Sequence, residues 1–134
     1  MIATDGSKHS ERAAEKAIEI AKLSGGEVVA LYVAYLGKYL APLDDAMIKK
    51  LQDSMLKEAE DATNYAKKAA DLAGVPLEKK IVNGYPADEI LKAANDADLV
   101  IMGSMGRTGI SRYLLGSATE KVIRNSKTPV MVVY

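Results

Sequence analysis

The alternation of short strand-like runs with longer amphipathic stretches limits the folds open to this chain more than any other feature. The candidate strands are residues 2–4, 28–33, 79–82, 99–102 and 130–133. The candidate helices, with apolar residues at helical spacing, are 10–23, 44–73, 87–94 and 117–124. Residues 36–43 and 103–116 are predicted loops, the second with a helical turn near 111–115. This alternation is typical of βαβ units, in which helices join parallel strands.

The order of these elements predicts an α/β architecture. We expect a five-stranded parallel doubly wound sheet, a Rossmann-like fold with strand order 3-2-1-4-5, built with right-handed crossovers. A length of 134 residues suits one core, so residues 1–134 are expected to form a single domain. Ligands bind such sheets at the carboxyl ends of the strands, where the winding reverses. Residues 4–6, Val33 and the loop after Met102 lie at that edge.

Composition excludes several classes of protein. Lys and Arg number 18, as do Asp and Glu, so the chain lacks the basic field typical of nucleic-acid binders. It has no cysteine and one histidine, which excludes disulfides, thiolate metal sites and histidine clusters. No apolar run reaches membrane-spanning length, and the first residues lack signal-peptide features. We therefore expect a cytoplasmic protein that binds neither nucleic acid nor membrane.

The segment from Gly103 to Ser117 carries the strongest chemical signal. Gly103, Gly106 and Gly116 have the spacing G-x2-G-x9-G, and they follow a buried strand and open a helix. Glycines let backbone N–H groups approach phosphate oxygens, and a helix N-terminus adds further donors and a positive dipole end. The pattern favours a polyphosphate site. It is neither a Walker motif nor a dinucleotide fingerprint.

A purely structural interpretation of the same residues stays open. Ser117 and Glu120 have the spacing of a capping box, which any helix can use. Gly106 and Gly109 can serve only to make turns. Asp5, just after the first strand, can form an Asx-turn with the residues that follow it. Val33 can be an ordinary core residue.

The charged residues near the loop allow two interpretations. Arg107 and Arg112 can pair bidentately with phosphate or remain solvated loop charges. His9 is interpreted as a surface residue. The charges of the second helix, such as Lys57 and Glu58, are interpreted as a solvated face.

The chain resembles the universal stress protein family over nearly its whole length. The nucleotide-binding subset of that family carries G-x2-G-x9-G-(S/T), which is matched here by Gly103, Gly106, Gly116 and Ser117. Residues 3–7 resemble the family's first strand and turn, and residues 116–122 and 128–133 resemble its ending. Ala118 departs slightly from the pattern, because a larger aliphatic residue is common there.

The resemblance implies bound ATP, or else AMP or ADP, with Mg²⁺ or Mn²⁺ held through the phosphates. It implies that Gly106, Gly116 and Ser117 hold the phosphates, with a further hydroxyl from Thr119. Residues 102–103 would line the ribose, and Asp5 would face the sugar or a metal-bound water. The backbone of Val33 would read the adenine edge. The full set implied at the site is Ala3, Thr4, Asp5, Val33, Met102, Gly103, Gly106, Arg107, Gly116, Ser117, Ala118 and Thr119.

The resemblance further implies a regulatory or stress-response module whose nucleotide state changes its shape or its affinity for a partner protein. Residues 130–133 are apolar on both faces and lie at a predicted sheet edge, so we expect a homodimer through this strand. Two alternatives remain. One is a slow ATPase or other nucleotide-dependent enzyme, for which Asp5 is the candidate base although no catalytic constellation is evident. The other is a dimeric structural module that binds no nucleotide.

Overall fold

The computed structural model describes residues 1–35, 44–107 and 115–134. The strands are β1 (Ile2–Ala3), β2 (Val28–Ala34), β3 (Leu77–Asn83), β4 (Val100–Gly103) and β5 (Val130–Val133). The helices are α1 (Lys8–Ser24), α2 (Asp45–Ala73), α3 (Pro86–Ala94) and α4 (Ser117–Asn125). The predicted loop at 36–43, Gly109, Arg112 and most of the predicted turn at 111–115 lie outside the described residues.

All five strands are parallel and form one sheet in the order β3-β2-β1-β4-β5, which confirms the predicted α/β fold and strand order. The central strand β1 is short, and Ile2 pairs with Ala30 on one side and Ile101 on the other. Strand β3 begins two residues earlier than predicted, because all seven residues of β2 find partners in it, starting with Val28 opposite Leu77.

Helices cover both faces of the sheet. Helices α1 and α2 bury alanines against Ile2, Ala30 and Ile101, and these small side chains let helix and sheet approach closely. Helices α3 and α4 pack on the other face, where Leu31 and Val122 belong to a second buried cluster. Neighbouring residues of β2 thus serve opposite layers, as the two-residue period of a strand requires.

Helix α2 is the longest helix, with 29 residues, and its ends are marked by capping residues. The Asp44 carboxylate accepts a hydrogen bond from the Met47 N–H at 2.8 Å, and Gly74 ends the helix in the left-handed conformation. Buried residues such as Met55 and Ala59 recur along one side of this helix, and many of the residues between them are charged. Within the described residues, no helix combines the length and apolarity needed to cross a membrane.

The end of β1 creates the open edge of the sheet. The Thr4 N–H donates to the Leu31 carbonyl at 2.9 Å and continues the pairing one residue beyond β1. Strand β2 runs on to Ala34, whose carbonyl accepts from the Gly84 N–H on the β3 side. Because backbone groups alternate sides along a strand, the N–H and C=O of Val33 face the side where β1 has ended. A crevice therefore opens between the ends of β2 and β4.

Helices α1 and α2 are also tied by a hydrogen bond from the Tyr65 hydroxyl to Glu15 at 2.6 Å, which raises the pKa of Tyr65 to about 12. An unfolded tyrosine titrates near pH 10, so the phenol contributes stability below about pH 10 and loses that contribution as the pH approaches about 12. We expect Tyr65→Phe to lower the melting temperature at pH 8, and the difference from wild type to vanish near pH 12.

Tyr134→Phe is the control, because Tyr134 is 74% exposed. Its melting curve should follow that of the wild type at every pH. A Tyr65→Phe difference that does not change between pH 8 and pH 12 would contradict the assigned role of this phenol.

Candidate functional site

A cavity of about 610 Å³ lies at the carboxyl edge of the sheet, within the range typical of small-molecule sites. The ends of β1, β2 and β4 line it, together with α2 and the starts of α3 and α4. It brings together all twelve residues implied by the sequence, namely Ala3, Thr4, Asp5, Val33, Met102, Gly103, Gly106, Arg107, Gly116, Ser117, Ala118 and Thr119. Their binding of a nucleotide stays a prediction.

Helix α4 begins at the cavity with a cap that has no side chain. Gly116 is the N-cap residue and Ser117 is the first helical residue, so the Ser117–Glu120 capping box is not formed. The Gly116 N–H donates to the Ser104 carbonyl at 2.8 Å, which fixes the start of the helix against the end of β4. The first N–H groups of α4 receive no side-chain acceptor from the cap, and the exposed Ser117 lies among them.

Two glycines of the motif allow close contacts within the protein itself. A Cβ at Gly103 would lie 2.7 Å from the carbonyl carbon of His9, so β4 can meet the start of α1 only with glycine at this position. A Cβ at Gly106 would lie 2.7 Å from Asp5 Oδ2. The buried Thr119 hydroxyl donates its proton to the Gly103 carbonyl at 3.0 Å, and this hydrogen bond links α4 to the end of β4.

Asp5 joins the end of β1 to the glycine-containing loop. Its Oδ1 accepts from the Ser7 N–H at 3.0 Å, which is the Asx-turn considered as a structural alternative. Its Oδ2 accepts from the Arg107 N–H at 2.9 Å. Both carboxylate oxygens therefore hold backbone donors from two different segments. Charge-assisted bonds of this kind are the stronger class of hydrogen bond.

The Arg107 guanidinium pairs with a carboxylate from α2. Its Nη1 lies 2.5 Å from Glu58 Oε2, and this hydrogen bond raises the pKa of Arg107. The Tyr32 hydroxyl donates to the same oxygen at 3.4 Å, and burial, followed by the Glu58 charge, raises the pKa of Tyr32. The side chains of Arg107 and Glu58 are 49% and 38% exposed, so the pair adds little to stability. Its significance is its place in the cavity wall.

The interpretation of Glu58 as part of a solvated face was incomplete, because its partly exposed side chain also lines the cavity and pairs with Arg107. Glu58 lies one helical turn after the buried Met55 and one turn before the buried Ala62, so it stands at the border of the apolar stripe. That spacing is the signal that could have revealed it. His9 is also not a plain surface residue, because its Nδ1 lies 3.3 Å from the buried Ser104 Oγ and its side chain is half-buried.

Other cavity residues carried no motif and were missed. Besides Ser10, Glu58 and Met105, they form mainly apolar walls on or next to β2, α2 and α3, namely Leu31, Tyr32, Tyr35, Met55, Pro86 and Ile90. The cavity thus has two unlike ends. One is rich in backbone donors at the β4–α4 junction, and the other is apolar and aromatic at β2 and α3.

The family model described as "Universal stress protein family" matches residues 1–134. The chain belongs to the universal stress protein family.

Relatives and solved structures agree with this assignment. Universal stress protein MJ0531 of Methanocaldococcus jannaschii is 38% identical over 135 residues, covering 99% of this chain and 79% of the relative. A universal stress protein solved in complex with cAMP is 30% identical, with a TM-score of 0.67 and coverage of 99% and 93% of the two chains. A universal stress protein of Lactobacillus plantarum, 24% identical with a TM-score of 0.82 and coverage of 99% and 96%, shows the shared fold.

The described residues of this universal stress protein contain no group of three or more His, Cys, Asp or Glu side chains placed to hold a metal ion. Asp5 and Glu58 both border the cavity, but each already accepts hydrogen bonds. Any divalent ion in this cavity would need further oxygen ligands from a bound molecule.

Proposed function

We propose that residues 1–134 form one domain that binds an adenine nucleotide, with ATP preferred to AMP or ADP. In this proposal the protein acts in the cytoplasm as a regulatory or stress-response module. The observation that carries this proposal is the assembly of all twelve motif-derived residues around a single cavity of suitable size. The polar and apolar ends of the cavity match the phosphate and base ends of such a ligand.

The β4–α4 junction is the proposed phosphate end. Gly106 and Gly116 present backbone without side chains, and Ser117 adds a hydroxyl beside the first N–H groups of α4. A helix N-terminus favours negative charge through its orphan donors and its dipole. Arg107 borders this end with a guanidinium whose direction is set by Glu58.

The end of β2 is the proposed base end. The free N–H and C=O of a strand edge can pair with the donor and acceptor edge of adenine, and those of Val33 face the crevice where β1 has ended. Leu31 and Ile90 supply apolar walls. The complex of a related universal stress protein with cAMP supports an adenine base at such a site. Residues 102–103 lie between the two ends and are proposed to line the ribose.

The charges around the cavity favour a polyphosphate bound to a divalent ion over a polyphosphate without one. Among the described lining residues, Asp5 and Glu58 are acidic and Arg107 is basic. Their sum is mildly negative, so ATP gains from a divalent ion that neutralises part of its charge. We propose that Mg²⁺ or Mn²⁺ enters with the nucleotide, bound mainly through phosphate oxygens and waters.

Binding is favoured over turnover in this proposal. Asp5 is the candidate base, but both of its oxygens accept backbone hydrogen bonds. Taking a proton from water would weaken these bonds. Slow ATP hydrolysis is therefore the lesser alternative.

The nucleotide proposal is tested by thermal unfolding with and without Mg-ATP. A ligand at a hundredfold excess over its Kd stabilises by about 2.7 kcal/mol, a shift of about 5–15 °C for a domain of this size. Wild type should show this shift, with a smaller one for GTP. Gly106→Val should show none, because its side chain fills the phosphate end and displaces Asp5. Ser117→Ala should keep a reduced shift and an unchanged apo melting point, since Ser117 is not the cap.

Gly26→Val is the matched control. Its Cβ would meet only the flexible Ser24 hydroxyl at 3.2 Å, and Gly26 does not line the cavity. This variant should retain the full ATP shift. The absence of a shift in nucleotide-stripped wild type, or equal shifts for wild type and Gly106→Val, would refute the assignment and favour a structural module.

Metal binding should depend on the nucleotide. Calorimetric titration of nucleotide-free protein with Mn²⁺ should give little heat, because no protein carboxylate cluster is placed to hold the ion. In thermal unfolding, Mn²⁺ added with ATP should raise the transition above that with ATP alone, whereas Mn²⁺ without ATP should not raise it. Tight Mn²⁺ binding without nucleotide would overturn this view of the site.

We also propose a homodimer through β5. This strand lies at one edge of the sheet, and its residues Val130–Val133 are half-buried or exposed, with Met131 37% exposed. An apolar edge strand invites pairing with another chain unless it is covered. The opposite edge, β3, carries lysines such as Lys79 and Lys80, which discourage such pairing.

Val132→Lys should convert the dimer to monomer or cause precipitation, as measured by sedimentation. Ile81→Lys on β3 is the control, since Ile81 is 37% exposed at the other edge. It should leave the sedimentation of the wild type unchanged. A Val132→Lys variant that sediments as a stable dimer would exclude this interface.

A further inference from the structure

Two tyrosines form an aromatic pair at the apolar end of the cavity. Tyr35 directly follows β2 and lines the cavity, and its ring centroid lies 4.5 Å from that of Tyr85, with the ring planes 40° apart. Tyr85 is the N-cap residue of α3. The two rings therefore join the end of β2 to the start of α3.

The position of Tyr35 follows from the period of the strand. Leu31 and Val33 pack in the cluster shared with α3, and Tyr35 lies two residues further along the same alternation. Pro86 and Ile90 of α3 also border the cavity. Tyr35 therefore extends the apolar wall outward from Val33, at the end remote from the glycine-containing β4–α4 junction.

We propose that Tyr35 is a base-binding residue whose ring packs against the purine base, with Tyr85 holding that ring in place. This inference rests on the proposed nucleotide function. Every base offers a flat π-face, and aromatic side chains contribute to affinity by stacking on it. A ring already restrained by its neighbour loses little freedom when the ligand binds. Tyr35 should therefore add the same affinity for every ligand that carries the base, whatever its number of phosphates.

The amino-acid composition supplies a direct readout. The chain has seven tyrosines and no tryptophan, so its intrinsic fluorescence comes from tyrosine. Nucleotide-free protein is titrated with adenosine, AMP and ribose 5-phosphate while fluorescence and calorimetric heat are followed. Adenosine and AMP should quench the tyrosine emission because both carry the base. Ribose 5-phosphate should bind without quenching, since it has no ring to meet Tyr35.

Three variants separate the ring from the hydroxyl. Tyr35→Leu should lose about tenfold in affinity for adenosine and AMP alike. Tyr35→Phe should keep its calorimetric affinity within about twofold while the adenosine quench falls, because one of the two described tyrosines that line the cavity, Tyr32 and Tyr35, is then replaced. Tyr134→Leu, outside the cavity lining, should match the wild type in affinity and quench.

The outcomes are distinguishable from those of the nucleotide test. If wild type binds AMP and Tyr35→Leu binds it equally well, this inference is wrong while the proposed function stands. If wild type binds no adenine compound, both are wrong. Should Tyr35→Leu fail to fold by circular dichroism, Tyr35→Phe decides the question. An adenosine quench as large in Tyr35→Phe as in wild type would refute contact between Tyr35 and the base.

Discussion

The reversal of winding at β1 is the constraint on which the rest of the structure depends. Strand β2 lies on one side of β1 and β4 lies on the other. The loop after β1 and the loop after β4 therefore leave the sheet in opposite directions. Because β1 ends at Ala3 while β2 continues to Ala34, the space between these two loops is an open crevice at the carboxyl edge of the sheet. An all-parallel sheet covered on both faces leaves its carboxyl edge as the natural place for a ligand.

Asp5 makes this crevice a defined site. A carboxylate at the end of β1 can reach both the turn into α1 and the loop after β4, and it accepts one backbone hydrogen bond from each. Glu58 adds a second link by binding the Arg107 side chain from α2. The described start of this loop, at Arg107, is thus held in the protein alone by two carboxylates, one just after β1 and one on α2. A preorganised loop spends less of the binding free energy on ordering.

Sequence patterns predicted the part of this arrangement that is periodic or local. The parallel α/β sheet followed from the βαβ alternation, and the motif residues were brought together because parallel strands end at one edge. Glu58 and Tyr35 were missed for a physical reason. The place of Glu58 beside the apolar stripe of α2 was a local signal, but its pairing with Arg107 and the contact of Tyr35 with Tyr85 are long-range and have no local signature. The capping box that Ser117 and Glu120 offered as a structural alternative is not formed, because the N-cap lies one residue earlier, at Gly116.

The glycines of the motif show that a match to the sequence pattern does not by itself demonstrate a binding site. Gly103 is required by the approach of the His9 backbone in the protein alone, whereas a Cβ at Gly106 would meet only the end of the Asp5 side chain, which can move aside. Selection for folding would therefore retain Gly103 even without a ligand. Gly116 differs, since a Cβ there would meet its nearest atoms at 3.5 Å, an ordinary contact distance. The fold tolerates a side chain at this helix N-cap, and capping residues such as serine or aspartate would ordinarily serve better there. A bare N-cap keeps the first N–H groups of α4 open to the cavity, so Gly116 is the glycine whose presence argues most directly for an anion at this site.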